Sequence, residues 1–170
     1  ALYLTLNELN ISQNLLIQDI DIAQENTIEF LKFVDKEYHI YPIWICPIKP
    51  DVHVNFSSFL IKTELVMNVG IWGELKKDEQ FYQANRKMEK MVEQLSGRKM
   101  LYAHAYYPKE EFWSIYDEQW YESLRNKYYA QNTFPNIFDK VIVSEEYKPK
   151  MAAWRILWGN LKSRRPYIQK

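Results

Sequence analysis

The chain has 170 residues, 47% of them apolar and 26% charged, with a formal net charge of zero. That is enough for one domain with a real core, too little for two large ones, and too apolar for a disordered segment. The balanced charge gives no global reason to expect nucleic acid, and the single cysteine, Cys46, excludes an intrachain disulfide and is compatible with a reducing compartment.

Aromatic residues make up 16% of the chain, a load that favours strands and interfaces. No apolar run approaches the roughly 18 residues of a membrane span, and no signal peptide is visible. The chain itself therefore reads as soluble. Its charge is uneven. Residues 147–170 hold seven basic residues and no acid, which leaves −7 on residues 1–146. The sequence opens at Ala1 with an apolar alternation already under way, as expected of a piece of a longer protein.

Residues 1–14 read equally as a short strand or a helical turn. Residues 15–23 alternate, with Leu16, Gln18, Ile20 and Ile22 on one face and Ile17, Asp19, Asp21 and Ala23 on the other; this predicts a strand. Asn26 followed by Glu29 predicts a helix start, with Ile28, Leu31, Val34 and Tyr38 as its stripe and Phe30 and Phe33 widening it. That helix should end near residues 36–38.

Residues 39–48 predict a second strand, with Trp44 and Cys46 on one face and Ile43 and Ile45 on the other. Proline cannot donate to a ladder, so Pro42 and Pro47 predict an edge or irregular strand. A lone buried cysteine is most often a small core hydrophobe, and no feature suggests activation of Cys46. A loop with an exposed His53 follows, then a strand over 59–72, where Gly70 marks a bulge or a close approach. Asp78 suits the cap of a long helix whose apolar stripe is Phe81, Ala84, Met88, Met91, Val92 and Leu95, with Arg86, Lys87, Glu89, Lys90 and Glu93 mainly outside it.

The chemistry concentrates in residues 97–113. Gly97 suits a left-handed helix stop. Residues 100–107 then predict a strand with Met100, Tyr102, His104 and Tyr106 on one face and Leu101, Ala103, Ala105 and Tyr107 on the other. Pro108 opens a helix with Glu110 and Glu111 in its first turn. Tyr102 and His104 are two proton-exchanging groups pointing the same way, although a phenol and an imidazole on a half-buried sheet need no more than water or a carbonyl. Two further helices, near 110–116 and 118–129, have Trp113, Trp120, Leu124 and Tyr128 as anchors. The order βαββαβ followed by helices predicts an α+β, ferredoxin-like antiparallel sheet with helices on one face and C-terminal helices beyond it.

No glycine-rich phosphate loop, nucleophile elbow or His/Cys metal spacing is present. The residue order nevertheless resembles a family. Gln18-Asp19, Tyr41-Pro42-Ile43-Trp44-Ile45-Cys46-Pro47, Asn68-Val69-Gly70-Ile71-Trp72-Gly73-Glu74, Met100-Leu101-Tyr102-Ala103, Glu110-Glu111-Phe112-Trp113, Phe134-Pro135 and Phe138-Asp139-Lys140 are similar, in register over residues 4–141, to the C-terminal part of the Δ24-sterol reductase (Diminuto/Dwarf) flavoproteins.

That resemblance implies a substrate-binding cap domain, residues 1–143, of an FAD-dependent oxidoreductase of the vanillyl-alcohol-oxidase-like superfamily. FAD would be bound mainly by a separate domain of the same chain, with NADPH as electron donor and a sterol-like substrate reduced at its C24–C25 double bond. The resemblance implies a flavin-facing position at His104, which is often Lys in related flavoproteins and Asp in animal sterol reductases. His104 and Tyr102 are then the catalytic expectations, His104 also the cofactor contact, and Trp44, Cys46 and Asn68 the pocket lining. No metal is expected, and the isolated piece is expected to be inactive.

Endoplasmic-reticulum membrane association on the cytoplasmic face is likewise implied. Residues 144–170 form a basic amphipathic tail, with Met151, Trp154, Leu157, Trp158 and Leu161 as its apolar stripe, suited to an anionic membrane, to an acidic domain or to solvent. Other readings compete with the reductase: a sugar or aldonolactone oxidase cap, an RNA-binding or other ligand-binding ferredoxin-like module, and a scaffold domain without catalysis. The segment 99–106 lacks the glycine and aromatic order of an RNA-recognition motif.

Overall fold

Alternation at residues 15–23 builds the strand that joins both halves of the sheet, β1 (Leu15–Ala23), in a computed structural model that describes residues 15–50, 61, 63–75 and 80–143. The other elements are α1 (Gln24–Tyr38), β2 (Ile43–Ile48), β3 (Val66–Glu74), α2 (Phe81–Gln94), β4 (Arg98–Lys99), α3 (Lys109–Ile115), α4 (Glu118–Lys127) and α5 (Ile137–Val141). The four strands lie in the order β2-β3-β1-β4, every pairing antiparallel. This is the expected α+β, ferredoxin-like arrangement. The proline-bearing β2 is an edge strand, where a missing donor costs no ladder bond.

One face of the sheet is covered by α1 and α2. Leu16, Ile20 and Ile22 of β1 and Val69 and Ile71 of β3 pack there on Phe30 and Val34 of α1 and Ala84, Met88 and Val92 of α2. The Tyr38 hydroxyl donates to the Ala84 carbonyl at 2.9 Å and ties the two helices together. A second, smaller core lies past the sheet, where Ala105, Tyr107, Phe112, Tyr116 and Val141 pack together. Its chain ends are joined by a parallel bridge between Ala105 and Ile142. Buried Arg125 holds the 131–135 turn by donating to the carbonyls of Phe134 at 2.9 Å and Pro135 at 3.2 Å.

Several local expectations are corrected. The first helix begins at Gln24, not at Asn26, whose side chain instead donates to the Leu95 carbonyl at the end of α2. Ile28 points to solvent; Thr27, Phe30, Val34 and Tyr38 are the buried residues of α1. The second strand starts only at Ile43, because His39 ends α1 in the left-handed conformation, with φ 54°. The left-handed residue after α2 is Ser96, not Gly97. Gly97 is required for space: a Cβ there would lie 2.4 Å from Ile22 Cδ1 and 2.8 Å from the Asp21 carbonyl oxygen. Gly70 is likewise a close approach, within an unbroken ladder. Tyr128 is exposed and anchors nothing. The readings of residues 1–14, His53, the start of the 59–72 strand, the Asp78 cap and the 144–170 tail lie outside the described residues.

The largest correction concerns residues 100–107. β4 ends at Lys99, and the Met100 N–H gives one more bond, to the Asp19 carbonyl at 2.9 Å, before the chain turns at residues 101–103. The alternation there is real but is not spent on the sheet. Ala105 and Tyr107 enter the second core, while Tyr106 packs edge-on against Phe81 and Tyr82 of α2.

Candidate functional site

The sheet face away from α1 and α2 is built in rows by strand register. Trp44 pairs with Gly70 and Gly70 with Asp19; Cys46 pairs with Asn68 and Asn68 with Asp21; Trp72 pairs with Ile17. Gly70 sets the spacing of the first row. A Cβ there would lie 2.9 Å from Asp19 Oδ1 and 3.2 Å from Trp44 Cβ. Side chains larger than hydrogen would therefore force the tryptophan and the carboxylate apart.

Aromatic groups dominate what this face shows to solvent. Trp44 is 59% exposed, Trp72 50% and Tyr102 62%, with Ile17 beside them. The polar residues beneath are committed to one another. Asn68 Nδ2 donates to Asp21 Oδ1 at 2.8 Å, directly across the β1–β3 pair. Asp19, only 8% exposed, accepts from the Tyr102 hydroxyl through Oδ2, with the Trp72 indole close by. Burial first, then the Asp19 carboxylate, raises the Tyr102 pKa well above the ordinary phenol value, against a smaller opposing effect of Trp72. Asp19 Oδ1 is buried without a hydrogen-bond partner among the described residues.

Tyr102 and His104 do not share a strand face. The chain crosses the edge of the sheet between them: Tyr102 reaches back to Asp19 on the aromatic face, while the His104 carbonyl accepts from Gln18, a helix-side residue, at 3.3 Å. The His104 side chain is exposed, yet the solvent it loses lowers its pKa, and the nearby Lys99 charge lowers it further. Cys46 is a half-buried free thiol whose Sγ lies 4.0 Å from the Pro47 carbonyl. Trp44, Cys46 and Asn68 thus fall on the same face as Tyr102, in two adjacent rows.

A buried ion network fixes this loop, and the amphipathic reading of α2 missed it. Glu89, expected outside the apolar stripe, points inward. It pairs with Lys99 at 2.8 Å and with Arg86 at 2.6 Å, and it accepts the Tyr106 backbone N–H at 2.8 Å. Arg86 goes on to Glu111 at 2.7 Å, and Lys99 Nζ lies 5.1 Å from the centre of the Tyr106 ring. Burial depresses the Lys99 pKa, with Glu89 opposing. The available signal was Lys99 itself, a cation beginning an apolar stretch and needing a buried partner. Among the described residues no cluster could hold a metal ion, and no helix is long and apolar enough to cross a membrane.

Over 135 residues the chain is 34% identical to the Delta(24)-sterol reductase of Homo sapiens, an alignment covering 76% of this chain and 25% of that protein. It is 28% identical to the Delta(24)-sterol reductase of Arabidopsis thaliana, over 73% of this chain and 26% of that one. It is 27% identical to the Delta(24)-sterol reductase homolog dhcr-24 of Caenorhabditis elegans, over 74% and 24% respectively. The chain thus spans about a quarter of the length of the curated relatives it matches. No family model and no solved structure matches it.

Proposed function

We propose, on the premise that this chain is a homologue of the Delta(24)-sterol reductases, that it is the substrate-binding cap domain of an FAD-dependent oxidoreductase reducing the C24–C25 double bond of a sterol side chain. NADPH is the electron donor in this reading. The cap is residues 1–143, and FAD is held mainly by another domain of the same protein. The single observation that carries the reading is the sheet face bearing Trp44, Trp72, Tyr102 and Ile17 over a Gly70 floor.

A face of exposed rings with a glycine between them fits a planar ring system or an apolar sterol tail. Phosphates have no glycine-rich loop to bind among the described residues, so the nucleotide end of FAD belongs to the rest of the protein. The flavin supplies the hydride when bound. What this chain adds is an apolar, water-excluding wall and a proton source. Tyr102 on that face and His104 across the sheet edge from it are the proposed proton donors, with His104 also the proposed cofactor contact and Trp44, Cys46 and Asn68 the proposed pocket lining. The apolar character of the exposed groups favours a sterol over a sugar, because Asp21 and Asn68 are already bonded to each other. Association with the endoplasmic-reticulum membrane, aided by the basic tail at 144–170, belongs to the same proposal.

The test is made on the full-length protein. A visible flavin spectrum, bleaching by NADPH and reoxidation that depends on a sterol with a C24–C25 double bond are expected together. Bound flavin that ignores both NADPH and the sterol moves the substrate to another alcohol or sugar. Absence of flavin overturns the enzyme reading.

A further inference from the structure

Tyr102 does not present a free proton to this face. Its hydroxyl donates to Asp19 Oδ2, with the Trp72 indole close by. A phenol oxygen has two lone pairs, so Tyr102 keeps the capacity to accept while Asp19 holds its proton. Tyr102 is 62% exposed. Asp19 itself is out of reach, 8% exposed in the row it shares with Gly70 and Trp44.

We propose that Asp19 is a positioning residue, holding Tyr102 so that it meets the ligand as a hydrogen-bond acceptor and not as a proton donor. The ligand feature it recognises is an O–H or N–H donor attached to a flat apolar body that lies on Trp44 and Trp72. This rests on the cap-domain reading and narrows it, since proton donation then falls to His104.

The charge arrangement agrees. Transfer of the Tyr102 proton to a substrate would leave a phenolate against the Asp19 carboxylate, two like charges in hydrogen-bond contact. The nearby Trp72 eases that charge in part. The proton therefore stays between Tyr102 and Asp19 while the accepting side of the phenol oxygen does the binding.

Two readouts on the full-length protein test this. In protein labelled with 3-fluorotyrosine, Tyr102→Phe identifies the Tyr102 fluorine signal. That signal should titrate at higher pH in the wild type than in Asp19→Asn, by about one unit or more, because the amide removes the like charge. Equal titration in both proteins overturns the positioning role, whatever the substrate proves to be. In steady-state reduction of a sterol bearing a C24–C25 double bond, Tyr102→Phe should raise KM about tenfold, the loss of one neutral acceptor, with kcat and its solvent isotope effect nearly unchanged. A fall in kcat of about a hundredfold or more with an altered isotope effect would make Tyr102 the donor and overturn the proposal. Lack of turnover with any such sterol in the wild type removes the cap-domain reading, and the fluorine titration still decides the role of Asp19. Tyr102 is a surface residue, so its phenylalanine variant is expected to fold.

Discussion

Lys99 and Glu89, each 1% exposed, meet at 2.8 Å at the end of the short strand β4. The same Glu89 oxygen accepts the Tyr106 N–H, so one carboxylate fixes both ends of the turn carrying Tyr102 and His104. That turn is therefore held from the helix side while Tyr102 reaches the opposite face of the sheet. Their placement follows from a buried charge pair and not from strand pairing.

Removing one partner of a buried pair leaves the other charged and unsatisfied. Glu89→Ala should cost about 3–5 kcal/mol in urea denaturation. Glu89→Gln should cost less, because an amide still accepts the Tyr106 N–H. An unchanged midpoint in both variants would show that the network contributes nothing net to the fold.

Alkaline pH should destabilise the domain. Burial raises the pKa of Tyr107 and Tyr116, and burial together with Asp19 raises that of Tyr102. A raised pKa means the folded state holds protons the unfolded chain has lost. These tyrosines then contribute stability below about pH 10 that is lost as pH rises further. Lys99, with a lowered pKa, works in the opposite sense but at lower pH, below its ordinary value of about 10.4, so it does not offset the loss above pH 10. Denaturation midpoints measured from neutral pH upward should fall above that value, and the fall should be shallower in Tyr116→Phe.

His104 gives the acid-side prediction. Its lowered pKa means that protonation opposes folding, so its contribution to stability is present above the ordinary histidine value of about 6.5 and is lost as pH falls through the folded pKa. The fraction of His104 carrying a transferable proton grows over the same fall. On the proposed role, the sterol-dependent step in the full-length enzyme should therefore speed up below about pH 6.5, and His104→Gln should abolish that rise. A pH profile identical in the variant removes His104 from the reaction.

The two glycines separate cleanly. At Gly70 an added methyl meets a side-chain oxygen at 2.9 Å and a Cβ at 3.2 Å; at Gly97 it meets Ile22 Cδ1 at 2.4 Å and the Asp21 backbone oxygen at 2.8 Å. Backbone cannot turn aside. Gly97→Ala should cost more than Gly70→Ala, which itself should cost about 1–3 kcal/mol by thermal or urea denaturation. Gly70→Ala should also shift the tryptophan emission, because Trp44 must move; an unmoved spectrum would mean that Asp19 yields instead.

Where side-chain periodicity alone decides structure, the sequence was enough. The alternation of β1, the stripe of α2 and the edge position enforced by Pro42 and Pro47 were all legible, because each depends on local geometry and on which groups avoid water. The resemblance to the sterol reductases was equally legible, being a matter of residue order. The tertiary structure alone decided the neighbourhood of Tyr102 and His104. Alternation at 100–107 says only that the chain is extended, not what it pairs with, and a second core and the Glu89 carboxylate claimed it. Glu89 itself read as a surface residue because its partner lies ten positions on, across a turn. The Asp19–Tyr102 contact joins residues 83 apart, and no local pattern records which carboxylate a distant phenol will find.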